Sequence, residues 1–253
     1  MIFGVIVAAG TGSRMGSSVP KQFLKLDGRS ILSFAVEKFL GIAEFEKVIV
    51  ATGKEWVAET EKLLRSEIVN TDRLAVVAGG KRRNDTIMEC ISYIEKNYGK
   101  ENYRENCEEN YGEKNGLLED SILVTHDGVR PFVTEAMIRD NIRLLGEYQA
   151  CETVIPATDT ILLSPDGKTV FDIPERSTVY HSQTPQSFRA GAFRDIYGSL
   201  TEEEKDAVTD AIKPFVMKGI KVGITMGEQD NIKITYHKDL SVAESIIRES
   251  GLR

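Results

Sequence analysis

The segment Ala8-Ala9-Gly10-Thr11-Gly12-Ser13-Arg14-Met15-Gly16, followed by Pro20-Lys21-Gln22, joins a permissive backbone to two cations. A glycine loop between a strand and a helix lets backbone N–H groups converge on an anion. No Gly-Lys-Ser/Thr closes the loop, so it is not a Walker A motif. Gly10, Gly12 and Gly16 are spaced GxGxxxG, one residue too long for the dinucleotide fingerprint. The second strand also ends Val50-Ala51-Thr52, without the acid that would hold a ribose. Arg14 and Lys21 give the loop a specific use: cations beside an amide cradle suit a pentacovalent phosphorus and a departing pyrophosphate. The carboxylates Asp127 and Asp230 each follow an apolar run, where open α/β sheets bind ligands. Two carboxylates so placed suit a shared magnesium ion, which takes oxygen ligands and bridges phosphates.

The elements that must hold these residues are legible in the hydrophobic pattern. Ile2–Ala8 is β-branched and apolar on both faces, as in a buried central strand. Helical spacing follows over 30–40 behind Ser30, a residue suited to capping. Strands are expected at 47–51, 74–78, 121–125 and 221–226. Helices are expected at 54–66, 85–98, 134–148, 189–198, 201–218 and 241–249. Strand alternating with helix predicts a Rossmann-like, mainly parallel α/β sheet with helices on both faces. Between 153 and 183 the pieces TVIPA, TILLS, TVFDI and TVYHS are split by Pro156, Asp166-Gly167 and Pro174, the pattern of a β-hairpin arm. Residues 99–120 are polar and aperiodic and read as a mobile surface insertion in an otherwise single domain.

Composition narrows the function classes. The chain has 253 residues, a formal charge of −7, 41% hydrophobic and 28% charged residues. An acidic balance argues against a nucleic-acid surface, although a phosphate site needs only a few local cations. Cys90, Cys107 and Cys151 lack paired spacing and read as reduced thiols. His126, His181 and His237 lack metal-ligand spacing and are expected in structural or surface roles, with Trp56 a packing residue. Met1–Ala9 is apolar but has no basic flank, so no signal or membrane segment is expected and the protein reads as cytoplasmic.

The set AAGTGSRMG–PKQF, GGKRRNDT, HDGVRPF, TDTI, QTPQSF, TDA and DNIKIT–DL resembles the cytidylyltransferases that activate polyol phosphates. That family includes the 2-C-methyl-D-erythritol 4-phosphate and ribitol-5-phosphate enzymes. The resemblance implies a nucleotide-diphospho-sugar transferase type of fold, CTP as donor, magnesium as cofactor and a homodimer formed through the arm over 153–183. It implies that Arg14, Lys21 and Lys233 act in catalysis. Ala8, Ala9, Gly10, Gly12, Gly80, Thr86 and Asp127 would bind CTP. Arg130, Thr160, Arg176, Thr184 and Thr209 would bind the acceptor, with Thr160 and Arg176 serving the neighbouring subunit. Asp127 and Asp230 would hold the metal. Lys81 stands where the family often has an acid, and Thr86 where it often has serine.

The spelling of HDGVRPF and YHSQTPQSF favours ribitol 5-phosphate over methylerythritol 4-phosphate as acceptor. A nucleotide-sugar glycosyltransferase would want an Asp-x-Asp motif, but Gly128 and Val129 follow Asp127. A non-catalytic nucleotide-binding module would tolerate loss of Lys21 or Asp230, and both are present.

Overall fold

The computed structural model describes residues 1–10, 20–99 and 118–250. Gly12, Arg14, Cys107 and nearly all of the insertion expected at 99–120 therefore lie outside the described residues. The described strands are β1 (Ile2–Ala8), β2 (Lys25–Leu26), β3 (Arg29–Ser30), β4 (Lys47–Thr52), β5 (Leu74–Ala78), β6 (Ile122–Asp127), β7 (Ala150–Pro156), β8 (Tyr180–Arg189) and β9 (Val222–Met226). The helices are α1 (Ile31–Leu40), α2 (Val57–Glu67), α3 (Arg83–Tyr98), α4 (Glu135–Leu144), α5 (Ala190–Gly198), α6 (Glu202–Ala207), α7 (Lys213–Met217) and α8 (His237–Ser250).

Seven strands form one sheet in the order β5-β4-β1-β6-β8-β7-β9, in which only β8 runs against the others. The α/β class expected from the sequence holds. From β1 the chain moves outward through β4 and β5, then returns to place β6 on the other side of β1. The crevice between the C-terminal ends of β1 and β6 is thus the topological switch point, where ligands bind in such sheets.

Both sheet faces are covered. Phe3, Val5, Phe188, Phe193 and Phe215 belong to the core beneath α3, α5 and α7. Ile6, Val36, Phe39, Leu64 and Ile138 belong to the core beneath α1, α2 and α4. A smaller cluster joins Leu26 and Ile31 to Ile234, Ala243 and Ile247, so α8 packs on the β2–β3 hairpin. That hairpin turns at Asp27 and Gly28, both at positive φ (50° and 80°), the conformation for which Asp-Gly is suited. Ser30 caps α1 by accepting from the Ser33 N–H at 3.3 Å.

Three elements differ from expectation. The helix expected over 201–218 is split into α6 and α7, because the Asp210 carboxylate accepts from the N–H groups of Ile212 and Lys213 and starts a new helix. The last helix begins earlier, at His237, where the Asp239 carboxylate accepts from the Thr235 and Tyr236 N–H groups at 2.8 Å. In the arm, TILLS and TVFDI form no strands and share only the isolated bridge Leu163–Asp172. Leu162, Leu163, Val170, Phe171 and Ile173 are exposed there. With no layer among the described residues to bury them, alternation alone does not build a stable two-stranded ribbon.

Candidate active site

The switch-point crevice opens into a cleft of about 350 Å³, a size typical of small-molecule sites. Ala8, Ala9 and Gly10 enter it from the end of β1, Gly80 to Arg83 and Thr86 from the turn into α3, and Asp127 and Val129 from the end of β6. Lys21 and Gln22 come from the short 3₁₀ turn Lys21–Phe23, and Lys233 and Thr235 from the approach to α8. Its described lining holds five cationic side chains, Lys21, Lys81, Arg82, Arg83 and Lys233, against a single carboxylate, Asp127. An acidic protein thus concentrates positive charge at one place, as a polyphosphate ligand requires.

The loops that close the cleft have little room for side chains. A Cβ on Gly79 would come within 2.6 Å of the Ala9 Cβ, and one on Gly80 within 2.6 Å of the Asp85 Cβ. The Thr86 hydroxyl accepts from the Gly80 N–H at 3.1 Å and donates to the Arg82 carbonyl at 2.9 Å, fixing the turn. Asp85 accepts from the Arg82 N–H and from the Tyr197 hydroxyl, which anchors the first turn of α3 and so aims Arg83. On the opposite wall, the buried Gln22 amide donates to the Ala8 carbonyl at 2.6 Å, tying the turn that carries Lys21 to the end of β1. The Lys21 ammonium donates to the Ile234 carbonyl at 3.0 Å. Phe23 packs on Trp56 with ring centroids 5.4 Å apart, so Trp56 has the packing role expected of it.

Asp127 is 7% exposed and ringed by cations. Lys233 Nζ lies 2.7 Å from Oδ2, Arg83 lies 3.3 Å from Oδ1, and Arg130 Nε lies 3.6 Å from Oδ2. Burial alone would push this carboxyl up, but Arg83, Lys233 and Arg130 outweigh it and hold it well below the usual carboxylate range. Behind it stands a neutral network. The Arg130 carbonyl, which can only accept, takes the His126 Nε2–H at 3.0 Å. Nδ1 must then accept from the Thr184 hydroxyl at 2.8 Å, and Thr184 Oγ1 in turn accepts from the Asp127 N–H at 3.2 Å. Burial pulls the His126 pKa down to about 4, consistent with an uncharged ring and with its expected structural role.

Of the residues expected at the site, Lys21, Lys233, Ala8, Ala9, Gly10, Gly80, Thr86 and Asp127 meet in the cleft. Arg130 and Thr184 do not line it; they are buried behind Asp127, with Arg130 donating to the Asn231 carbonyl at 2.7 Å. Thr209 is exposed and outside the cleft. Thr160 and Arg176 are exposed on the arm, where Arg176 donates to the Thr158 carbonyl at 3.3 Å. Asp230 is exposed and absent from the lining. Its neighbour Asn231 turns inward to Gln183 and the Thr184 carbonyl, so the expected Asp127–Asp230 pair does not line the cleft. Among the described residues no cluster of three or more His, Cys, Asp or Glu could hold a metal. Asp127 is the one carboxylate in the described lining, and its oxygens are held by Lys233, Arg83 and Arg130.

Arg83 and Arg82 were not singled out from the sequence. Arg83 contacts Asp127, and Arg82 is held at the rim by Glu202 at 3.0 Å and Asp206 at 2.6 Å. Their signal was the basic run after Gly79-Gly80 at a helix start, a place that favours bound anions.

A switch-point sheet, a glycine-walled crevice and a surplus of cations define an α/β enzyme class acting on phosphorylated ligands. The family model for 2-C-methyl-D-erythritol 4-phosphate cytidylyltransferase matches residues 2–100 and 114–249, and the chain belongs to that family. It is therefore a nucleotidyltransferase of the cytidylyltransferase type. Three similar solved structures share the fold along nearly all of their length. 4-Diphosphocytidyl-2C-methyl-D-erythritol synthase from Anaerococcus prevotii is 24% identical with a TM-score of 0.73, covering 98% of each chain. The 2-C-methyl-D-erythritol 4-phosphate cytidylyltransferase of Francisella tularensis is 24% identical with a TM-score of 0.71, covering 96% of this chain and 98% of that one. The corresponding enzyme of Thermus thermophilus is 21% identical with a TM-score of 0.66, covering 98% and 100%.

Proposed function

We propose that this chain transfers CMP from CTP to 2-C-methyl-D-erythritol 4-phosphate, releasing pyrophosphate. The family match supports this acceptor better than the ribitol 5-phosphate favoured by motif spelling. The observation that carries the reaction type is the cleft itself, with five cations around one buried carboxylate at the switch point. A phosphate monoester is already nucleophilic at neutral pH, so no serine, histidine or cysteine relay is needed. The acceptor's phosphate oxygen attacks the α-phosphorus, the bond to the β-phosphate oxygen breaks, and pyrophosphate leaves with the electron pair. Lys21, together with Arg14, neutralises the triphosphate as charge builds, while Arg83 and Lys233 keep Asp127 ionised beside it. Magnesium bound by Asp127 would add positive charge at the phosphates. Catalysis then rests on positioning and charge neutralisation.

Ribitol 5-phosphate stands as the second reading. It rests on the motif spelling of HDGVRPF and YHSQTPQSF. The exposed apolar side chains of the arm support a homodimer in which Thr160 and Arg176 serve the partner's cleft. No helix among the described residues is long and apolar enough to cross a membrane. The test is pyrophosphate release with CTP, magnesium and either acceptor. Release with methylerythritol 4-phosphate is expected; release with neither, or equal use of all four nucleotides, defeats the reading.

A further inference from the structure

Next to Asp127, on the sheet face covered by α3, lies a row of polar side chains to which the proposed reaction gives no task. Thr125, Gln186 and Glu152 are cross-strand partners on β6, β8 and β7, so they project from the same face. Asp127 follows two residues after Thr125 on that face, at the wall of the cleft. The Gln186 amide donates to both Glu152 oxygens, at 3.1 and 3.0 Å, and the Ser182 hydroxyl donates to Oε1 at 2.6 Å.

This row is not saturated. Gln186 and Asn84 are each 1% exposed, yet Gln186 Oε1 and Asn84 Oδ1 have no hydrogen-bond partner among the described residues, and neither does Arg83 Nη1. A buried polar atom without a partner costs about 1–3 kcal/mol, so each of the three calls for a polar partner. Of the three, only Arg83 lines the cleft itself, and Glu152 connects it to the row behind. Gln186 sits on Glu152, Asn84 donates to the Asp210 carbonyl, and Glu152 feels the charges of both Asp210 and Arg83. Arg83 spans the gap, with one nitrogen on Asp127 and the other unpartnered among the described residues. The carboxylate of Glu152 still has lone pairs available, and burial raises its pKa to about 7, against the bonds from Ser182 and Gln186, so it can accept or donate near neutrality.

We propose that Glu152, supported by Gln186 and Ser182, binds a hydroxyl group of the acceptor's polyol chain and sets which polyol phosphate the enzyme uses. The acceptor phosphate would lie among the cations of the cleft, and the hydroxylated tail would pass Asp127 and Arg83 to reach this floor. A site built to bond a hydroxyl discriminates strongly against an analogue that leaves its buried groups unpaired. Glu152 is thereby a specificity residue for the proposed reaction, and the inference rests on that reading.

The test compares wild type, Glu152→Leu and Glu152→Gln in pyrophosphate release, with KM measured separately for CTP and for the acceptor that wild type prefers. Glu152→Leu is expected to raise the acceptor KM at least tenfold and to change the preference between methylerythritol 4-phosphate and ribitol 5-phosphate, with the CTP KM moving less than threefold. Glu152→Gln, which keeps volume and hydrogen bonding, should recover most of the loss while remaining at least threefold above wild type. Should Glu152→Leu not fold, the Glu152→Gln value decides. An unchanged acceptor KM in the folded variants, or equal rises in both KM values, overturns the role of Glu152 alone. A wild-type enzyme that releases pyrophosphate with neither acceptor overturns the proposed reaction and this inference together.

Discussion

Lys233 Nζ lies 2.7 Å from Asp127 Oδ2, which joins the approach to the last helix to the end of a central strand at the wall of the cleft. Asp127 is nearly buried while Lys233 keeps 43% of its side chain exposed, so the carboxylate depends on its cations more than they depend on it. Removing Lys233 takes away the nearest of the three cations that hold this carboxylate and leaves Arg83 and Arg130 to compensate it in part. Lys233→Ala is therefore expected to raise the Asp127 pKa and to lower kcat by roughly 10²-fold, the scale of losing one preorganised donor. Steady-state pyrophosphate release checks this, and a loss confined to KM would show that Lys233 only binds.

Lys21 stands on a turn anchored by Gln22 to β1 and by its own bond to the Ile234 carbonyl. A charge held this rigidly before substrate arrives loses little in reorganisation, so its removal is felt mainly in the transition state. Lys21→Ala should fold with an unchanged circular dichroism spectrum and lose about 3–4 kcal/mol of barrier stabilisation, read as a fall in kcat. Near-normal turnover would remove the turn from the chemistry.

The arm makes a prediction of a different kind. Arg176 is exposed and held to the Thr158 carbonyl, far in sequence from the cleft residues of its own chain. If it completes the partner's site, mixing Arg176→Ala with Lys21→Ala subunits creates one intact composite site per mixed dimer. Up to half of wild-type activity per mixed dimer is then expected from two nearly inactive parents. Mixed dimers shown to form by native mass spectrometry but lacking activity would refute the crossing.

The parts of this site that the sequence made visible are those fixed by strand ends. Ala8, Gly80 and Asp127 each close an apolar run, and a parallel sheet places such ends along one edge whatever the loops do. What stayed hidden depends on single-residue phase. Asp230 and Asn231 are adjacent, and only the loop conformation decides that the amide turns inward and the acid outward. Within Lys81-Arg82-Arg83, the helix start at Arg83 aims that guanidinium at Asp127 while Arg82 swings to α6. Glu152 carries a signal of its own, an isolated charge inside the apolar strand Ala150–Pro156. A strand cannot bury a carboxylate without partners, and its partners, Ser182 and Gln186, arrive from a strand thirty and more residues later.

Glu152 also makes a stability prediction that needs no substrate. Burial raises its pKa in the folded chain from 4.5 to about 7. A carboxyl whose folded pKa is raised binds protons more tightly in the native state, so it reduces stability as pH climbs from its unfolded to its folded value. His126 acts in the opposite sense: its folded pKa falls from 6.5 to about 4, so it costs stability as pH drops through that interval. Between about pH 4.5 and 6.5 the two slopes oppose each other, and wild-type stability should vary little from this pair. Glu152→Gln removes one side of the balance. Relative to wild type, the variant is expected to gain stability steadily from pH 5 to pH 8, by up to about 3 kcal/mol at full ionisation. Urea unfolding at four pH values measures the difference directly. A variant-minus-wild-type difference that stays flat from pH 5 to pH 8 would mean that Glu152 titrates normally, and that the floor beside Asp127 is wetter than its packing indicates.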